Sequence, residues 1–333
     1  MGEDLYRLLK TKFELPHPQY PGRVSEVRLG NRPPDGTRAR TIVLGGATDL
    51  PFFSQDKAAL RPHVAMQVQA PAQNIPPAVS KSLADFLDDP VEWARFCVQE
   101  CDAEAVEVKF NLGDSGTGQE VLKGASELSR RLLDELDVPL IFSGPDNREA
   151  EPQVLETVAV AVKGERVLLA SARLDNDYTR IARAAIGNQH VVLASTDCDP
   201  PSQKMLNDRL LDLGLSRDQL IIDPTTAALG YGLEYSLSIT EQIRLNALKG
   251  DGSLQMPIAA FPVNSWSARE ANLADSEYDG HTSRGTMWEL ASAIAMFLAG
   301  AELLVMIHPE SVRRFNMLVS EAGLSTPNVG EQG

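Results

Sequence analysis

Cysteine is scarce in this chain of 333 residues, and the scarcity excludes two kinds of site. The three cysteines, Cys97, Cys101 and Cys198, cannot form a fully paired disulfide framework, and they suit a reducing compartment. An iron–sulfur cluster normally needs four thiolates, so we expect no such cluster in this chain. Cys97 and Cys101 lie four residues apart in a helical pattern. We interpret them as small buried hydrophobic residues.

Basic residues and long apolar runs are also few. The formal net charge of -15 argues against a nucleic-acid partner, because such partners are held by Lys and Arg. The longest apolar helical pattern, near residues 291–301, is shorter than the roughly 18 residues that span a bilayer. Residues 1–6 lack the basic and apolar regions of a signal peptide. We therefore expect a cytoplasmic globular protein with no membrane partner.

Short β-branched runs recur along most of the chain and alternate with helical patterns. The runs occupy residues 64–68, 105–110, 139–142, 167–170, 190–194, 220–222, 257–261 and 303–307. Between them, apolar residues such as Leu128, Leu132 and Leu136 recur at a helical period. Alternating strands and helices imply parallel pairing, and eight such units close naturally into a (β/α)₈ barrel. We predict an α/β protein with a TIM barrel at residues 61–325 and a short tail at 326–333.

Residues 1–60 have a different character. Two β-like runs, at 24–29 and 41–44, are separated by the turn-forming segment 31–36. We predict a β-hairpin extension that covers the N-terminal end, or bottom, of the barrel. A separate domain is disfavoured, because so short a segment buries too little apolar surface.

Polar residues gather where the predicted strands end, and β/α barrels carry their sites at the C-terminal ends of the strands. Asp223-Pro224-Thr225-Thr226 is the clearest case, because the proline fixes φ and removes a donor directly after a buried run. The whole set is Asn111, Ser143, Ser171, Thr196, Asp197, Asp223, Thr225, Thr226, Asn264 and His308.

The set contains no metal-ligand spacing and no nucleophile with an obvious base. We therefore expect no catalytic or metal-binding residue here, and a hydrogen-bonding face that suits a large ligand rich in amides and hydroxyls. His308 also has a structural interpretation, in which it only satisfies neighbouring carbonyl groups.

A series of motifs in the same order carries a family resemblance. The motifs are Ser202-Gln203-Lys204, the segment 223–232 (DPTTAALGYG), the segment 246–251 (NALKGD), the segment 264–270 (NSWSARE), Arg284-Gly285 with Trp288-Glu289, and His308-Pro309. Between Val64 and His308 the chain resembles the small (delta) subunit of the corrinoid iron–sulfur protein in the CO dehydrogenase/acetyl-CoA synthase system.

The resemblance implies a partner protein and a cofactor. In that family the barrel and a larger gamma subunit, which carries a [4Fe-4S] cluster, enclose a cobamide between them. The cobamide receives a methyl group from methyltetrahydropterin through a methyltetrahydrofolate corrinoid methyltransferase and delivers it to acetyl-CoA synthase in the reductive acetyl-CoA (Wood–Ljungdahl) pathway. The resemblance also adds Gly230, Tyr231, Trp266 and Arg269 to the expected cofactor-binding residues.

Two other interpretations remain. The family's barrel is similar to pterin-dependent corrinoid methyltransferases, so the chain could bind methyltetrahydrofolate itself, with Asp197, Asp223 and Asn264 on the ring. It could also be a barrel kept only as a scaffold. Residues 279–285 nearly match D-x-H-x-x-G, through which one class of corrinoid proteins supplies a histidine to cobalt, but the segment is one residue too long. We interpret it as a loop.

Overall fold

The computed structural model describes residues 18–51, 61–111, 118–273 and 284–324. Its strands are β1 Val27–Leu29, β2 Ile42–Leu44, β3 His63–Ala70, β4 Ala105–Phe110, β5 Leu140–Ser143, β6 Leu168–Ala172, β7 Val191–Ser195, β8 Leu220–Asp223, β9 Ala259–Ala260 and β10 Leu303–Met306. β1 and β2 pair with each other, and the other eight form one parallel sheet in the order β8-β7-β6-β5-β4-β3-β10-β9.

The sheet closes on itself between its two edge strands. Ile222 in β8 forms a parallel bridge with Ile258, directly before β9. Its N–H donates to the carbonyl of Pro257 at 2.8 Å. The predicted (β/α)₈ barrel is confirmed.

Helices surround this barrel. They are α1 Pro77–Ser82, α2 Pro90–Glu100, α3 Gln119–Glu135, α4 Glu151–Ala161, α5 Tyr178–Asn188, α6 Pro200–Asp212, α7 Leu233–Leu248, α8 Arg284–Ala299 and α9 Pro309–Glu321. Aspartates begin several of them: the side chains of Asp89, Asp177 and Asp199 each accept a backbone N–H of the first turn. Within the described ranges, no helix is long and apolar enough to cross a membrane.

The inward positions of the strands change character from the bottom of the barrel to the top. Ala65, Ile141 and Leu168 belong to an apolar cluster that fills the lower interior. Their outward neighbours, such as Val64 and Leu140, pack in the cluster that joins the sheet to the helices. Because successive side chains of a strand point to opposite faces, the next inward positions are Gln67, Glu107, Ser143 and Asp223 on their strands. The upper interior is therefore polar.

The N-terminal hairpin of β1 and β2 packs against the lower interior of the barrel. Its residues Val27, Leu29, Ile42 and Leu44 are buried in the same cluster as the lower interior. The backbone N–H of Gly30 donates to Arg166, just before β6, and that of Arg40 donates to Asp137, before β5.

Buried Arg38 fixes the hairpin to the barrel. Its side chain is 2% exposed, lies 3.3 Å from the Glu165 carboxylate and donates to the backbone carbonyls of Leu133 and Leu136 at the end of α3. The rest of the predicted extension (residues 1–17 and 52–60) and the predicted tail at 326–333 lie outside the described residues, as do positions 279–283 of the near-match motif.

Cys97 and Cys101 both lie in the apolar core between helices and sheet. Burial raises the pKa of the Cys101 thiol to about 11 and raises that of Cys97 as well. These environments fit the interpretation of the two cysteines as small hydrophobic residues.

Candidate functional site

A cavity of about 930 Å³ opens at the C-terminal ends of the barrel strands. It brings together many of the residues that the sequence predicts. These are Asn111, Ser143, Ser171, Asp197, Asp223, Thr225, Asn264 and Trp266. The cavity lies where the inward strand positions turn polar, above the apolar layer that fills the lower interior.

One wall of the cavity is organised around the buried carboxylate of Glu107. The Ser143 hydroxyl donates to Glu107 Oε1 at 2.5 Å, and Gln67 Nε2 donates to Oε2 at 2.8 Å. Burial raises the pKa of the Glu107 carboxyl above its ordinary value, against these two hydrogen bonds, which act to lower it. The network joins β3, β4 and β5.

Amide side chains extend this network toward the rim of the cavity. Asn111 Nδ2 donates to Gln69 Oε1 at 3.0 Å and to the carbonyl of Pro71 at 2.8 Å. Gln69 Nε2 in turn lies 3.5 Å from Gln67 Oε1. The donors therefore point from the rim toward Glu107.

Asp223 forms the matching centre on the opposite part of the sheet. Ser195 Oγ donates to Asp223 Oδ2 at 2.8 Å, and the backbone N–H of Thr225 donates to Oδ1 at 2.9 Å. Burial raises the pKa of Asp223 to about 6, although these hydrogen bonds and the nearby Arg173 guanidinium lower it. Asp223 therefore changes its charge close to neutral pH.

Arg173 is held in place beside this carboxylate. Its Nε donates to Ser171 Oγ at 3.0 Å, and its backbone N–H donates to Asn176 Oδ1 at 3.0 Å. Glu151 fixes the same turn, because it accepts from Asn176 Nδ2 at 2.8 Å and from the backbone N–H of Ser171 at 3.1 Å. These hydrogen bonds fix the turn that carries Arg173 and so hold its guanidinium at the cavity wall.

Trp266 supplies an aromatic wall. Its ring stacks on His308, with ring centroids 5.7 Å apart and an interplanar angle of 24°. A Cβ at Gly285 would overlap the indole ring, so glycine at the start of α8 makes room for Trp266. Nearby, Asn264 Nδ2 donates to the carbonyl of Thr226 at 2.9 Å and ties the loop after β9 to the loop after β8.

His308 supports this wall from behind. Its Nδ1 accepts the backbone N–H of Glu310 at 3.1 Å, so Nδ1 carries no proton. Nε2 lies 3.0 Å from Ser82 Oγ, whose own proton goes to the carbonyl of Ala78. Burial lowers the pKa of His308 to about 4. Both nitrogens of a neutral ring are engaged, which favours the structural interpretation of this histidine.

The remaining predicted residues lie off the cavity wall. Thr196 is buried and donates to Gln203 Oε1 at 2.8 Å, and Thr226 accepts the backbone N–H of Phe261 at 2.8 Å. Tyr231 is 58% exposed and donates to Glu270 Oε2 at 2.9 Å. Gly230 and Arg269 lie in the same two outer loops, 224–232 and 268–273.

Sequence reasoning missed part of the polar wall. The missed residues include Gln67, Gln69, Glu107, Lys109, Arg173 and Ser195. The signal was present in β3 and β4, where polar residues occupy every second position of otherwise apolar strands. In a barrel whose outer face is covered by helices, that alternation places the polar set inside.

The family of the chain follows from comparison with known proteins. Residues 26–316 match the family model described as CO dehydrogenase/acetyl-CoA synthase delta subunit. This chain belongs to that family. The delta subunit of the acetyl-CoA decarbonylase/synthase complex of Archaeoglobus fulgidus is 40% identical over 316 residues, which cover 92% of this chain and 70% of that protein. Its counterpart in Methanothermobacter thermautotrophicus is 39% identical over 307 residues, 91% of this chain and 76% of that protein.

Solved structures support the fold of this delta-subunit family member. The 7,8-dihydropteroate synthase of Vibrio fischeri superposes with a TM-score of 0.57 at 12% identity, covering 91% of this chain and all of that one. The dihydropteroate synthase of Xanthomonas albilineans, in complex with indole-2-carboxylic acid and 6-chloroguanine, gives a TM-score of 0.56 at 16% identity, with 91% of this chain and all of that one covered. At such identities the likeness concerns the barrel alone.

Proposed function

We propose that this chain is the small subunit of a corrinoid iron–sulfur methyl carrier, and that its barrel mouth holds one side of a cobamide. A larger subunit with a [4Fe-4S] cluster would cover the other side, within an acetyl-CoA decarbonylase/synthase complex. Membership of the delta-subunit family supports the assembly, and the polar cavity at the barrel mouth supports the ligand.

The amide content of the mouth is the observation that carries the proposal. Amide side chains line the cavity on several strands and loops; they are Gln67, Gln69, Gln73, Asn74, Asn111, Asn147 and Asn264. A corrinoid is rimmed by amide side chains, which both donate and accept, and side-chain amides also do both. The donor set therefore fits this cofactor.

The chain's own contribution would be to hold and orient the cobamide. His308 has both nitrogens engaged, so its role would be to fix the Trp266 wall and not to bind a metal. When bound, the cobamide supplies the metal centre that carries a methyl group from a methyltetrahydropterin, bound on a separate methyltransferase, toward acetyl-CoA synthase. Asn264, on the loop after β9, and Asp223, at the end of β8, would set the position of its amide arms by hydrogen bonds.

A site shared by two subunits can be tested by comparing the chain alone with the two-subunit complex. A cobamide would not fit entirely within a cavity of about 930 Å³, so part of it would lie above the mouth, where a second protein can cover it. We expect a stable 1:1 complex when the chain is expressed with the larger subunit, with one cobalt per complex. The chain alone should bind hydroxocobalamin much more weakly. Equal affinity of the chain alone and the complex would contradict the shared site.

A further inference from the structure

Two segments outside the cavity wall carry large apolar side chains that the chain leaves exposed. Tyr231, on the loop after β8, is 58% exposed, and Tyr235, in the first turn of α7, is 68% exposed. Leu273 directly follows the 3₁₀ turn at 270–272 and is 45% exposed. Single exposed apolar side chains are ordinary, but adjoining ones mark an interaction surface.

Hydrogen bonds link the segments that carry these three side chains. The Tyr231 hydroxyl donates to Glu270 Oε2 at 2.9 Å and so joins the two segments. The backbone N–H of Tyr235 donates to the carbonyl of Gly232 at 2.9 Å, and that of Leu273 donates to the carbonyl of Glu270 at 3.4 Å. We call Tyr231, Tyr235 and Leu273 the rim patch.

Further hydrogen bonds hold the rim patch in place before any partner binds. The backbone N–H of Ala227 donates to Ser236 Oγ at 2.9 Å, which ties the loop after β8 to α7. The side-chain amide of Asn272 donates to the carbonyl of Trp266 at 2.7 Å, which ties the second segment to the aromatic wall. A surface that is ordered in advance loses less entropy on association than a flexible one.

The rim patch adjoins the cavity on one side of the barrel mouth. Thr225 and Trp266 line the cavity, and the two segments of the patch follow them in the chain. The loops after β5 and β6 have another character: the Asp146 side chain is 89% exposed, and Arg148 and Asp175 form an exposed ion pair. In the described residues of these two loops, no large apolar side chain is exposed. Compared with these loops, the side of β8 and β9 offers a partner the apolar contact.

The residue types of the rim patch are those of a protein interface. Tyrosine is enriched where protein surfaces meet, because its ring buries a large area at a small cost in side-chain entropy. The hydroxyl of Tyr231 is satisfied by Glu270, so its ring is the part that a partner would cover. Exposed Glu234 and Arg269 flank the patch in the chain and provide the polar margin that interfaces have.

We propose that the rim patch anchors the larger subunit of the methyl carrier on the side of β8 and β9. This inference rests on the proposed function and adds the surface by which the partner is held. Tyr231, which the family resemblance places among the cofactor-binding residues, then contacts the partner protein. The residues of the cavity wall are left to face the cobamide.

Binding of the larger subunit to variants of the chain tests this surface. Analytical ultracentrifugation of the cobamide-loaded larger subunit, titrated with the chain, gives the Kd of the complex. Tyr231→Ala and Tyr235→Ala should each raise the Kd roughly tenfold or more, because exposed aromatic anchors carry much of the binding energy. Val160→Ala changes an apolar side chain that is 61% exposed on α4, and this matched control should leave the Kd unchanged. Circular dichroism checks that each variant is folded.

The outcomes separate this surface from the proposed function. An unchanged Kd in both folded tyrosine variants would overturn the inference alone. Normal assembly of Tyr231→Ala with a loss of cobalt would also overturn it and return Tyr231 to the cofactor. If the wild-type chain formed no complex with the larger subunit, the proposed function and the inference would fail together.

Hydrogen exchange gives an independent location for the contact. Backbone N–H groups of residues 227–235 and 268–273 should exchange more slowly in the two-subunit complex than in the chain alone, because the partner would cover both segments. Those of α4 should exchange at the same rate in both samples. Equal exchange in both rim segments, in a complex that has formed, would contradict the anchor.

Discussion

The hydroxyl of Ser195 donates to Asp223 Oδ2 at 2.8 Å and so links neighbouring strands at the floor of the barrel cavity. This hydrogen bond lowers the pKa of a carboxyl that burial raises to about 6. The balance of the two effects leaves Asp223 as a group that changes charge between mildly acidic and neutral pH, in direct reach of anything bound in the cavity.

Asp223 should therefore make the stability of the protein depend on pH. Its pKa is about 6 in the folded chain and near 3.8 when unfolded, so the folded state binds more protons between these values. Stability relative to Asp223→Asn should fall as the pH rises from about 4 to 6 and then stay level, by an amount on the order of 2–3 kcal/mol. Urea unfolding of both proteins at pH 4.5 and 7.5 measures this difference. Parallel stability profiles would show that Asp223 is not the titrating group.

Loss of polar groups at the mouth should weaken cobamide retention. We expect Asp223→Ala and Asn264→Ala each to lower the cobalt content of the complex with the larger subunit, because each change removes a hydrogen bond worth on the order of 1 kcal/mol. Cobalt per complex after gel filtration is the measurement, and circular dichroism confirms the fold. Asp212→Ala, on the exposed end of α6, serves as the control. If both site variants kept the cobalt content of the wild-type complex, the cofactor would have to bind elsewhere.

The isolated chain should contain no iron–sulfur cluster. It has three cysteines, and two of them, Cys97 and Cys101, are buried in the core with thiol pKa values raised by that burial. Anaerobically purified chain should therefore lack stoichiometric iron and acid-labile sulfide, and it should show no cluster absorbance. Four irons per chain would refute this prediction and the division of roles between the two subunits.

Glycine at position 285 should be required for the position of Trp266. A Cβ there would overlap the indole ring, which is held from the other side by His308. Gly285→Ala should cost about 1–3 kcal/mol, as overpacking does, and should lower the melting temperature. Gly187→Ala is the matched control in α5, where a Cβ meets nothing within 4 Å, and it should be neutral or slightly stabilising. Equal melting temperatures of the two variants would contradict the packing argument.

The barrel could be predicted because its determinants are local. Each strand is a short apolar run, and helical periods such as that of Leu128 and Leu132 fill the intervals. The cavity was only partly predictable. Neighbouring residues at the strand ends face different ways: Asp197 and Thr225 line the cavity, whereas Thr196 bonds to Gln203 and Thr226 to the backbone of Phe261. Position at a strand end did not reveal which of each pair faces inward.

Cavity residues that lie within the strands could not be found by looking for polar residues at strand ends. Glu107 and Gln67 lie deeper in the barrel, and their role depends on the hydroxyl of Ser143 and on which face of the sheet the helices cover. His308 is the opposite case. Its position at a strand end suggested a residue that binds a cofactor, but hydrogen bonds to Ser82 and Glu310 engage both of its nitrogens in holding the protein's own structure. Such partners are far apart in sequence and are brought together only by the closed sheet.

The hairpin packs Val27, Leu29, Ile42 and Leu44 against the lower interior of the barrel, so this end is filled by apolar side chains and the cavity opens at the strand ends opposite it. A molecule at the floor must arrive before a partner covers the mouth and can depart only after that partner lifts away. Occupancy of the floor would then be governed by the opening and closing of the subunit interface, so that the exchange rate of a deeply bound compound measures the lifetime of the complex.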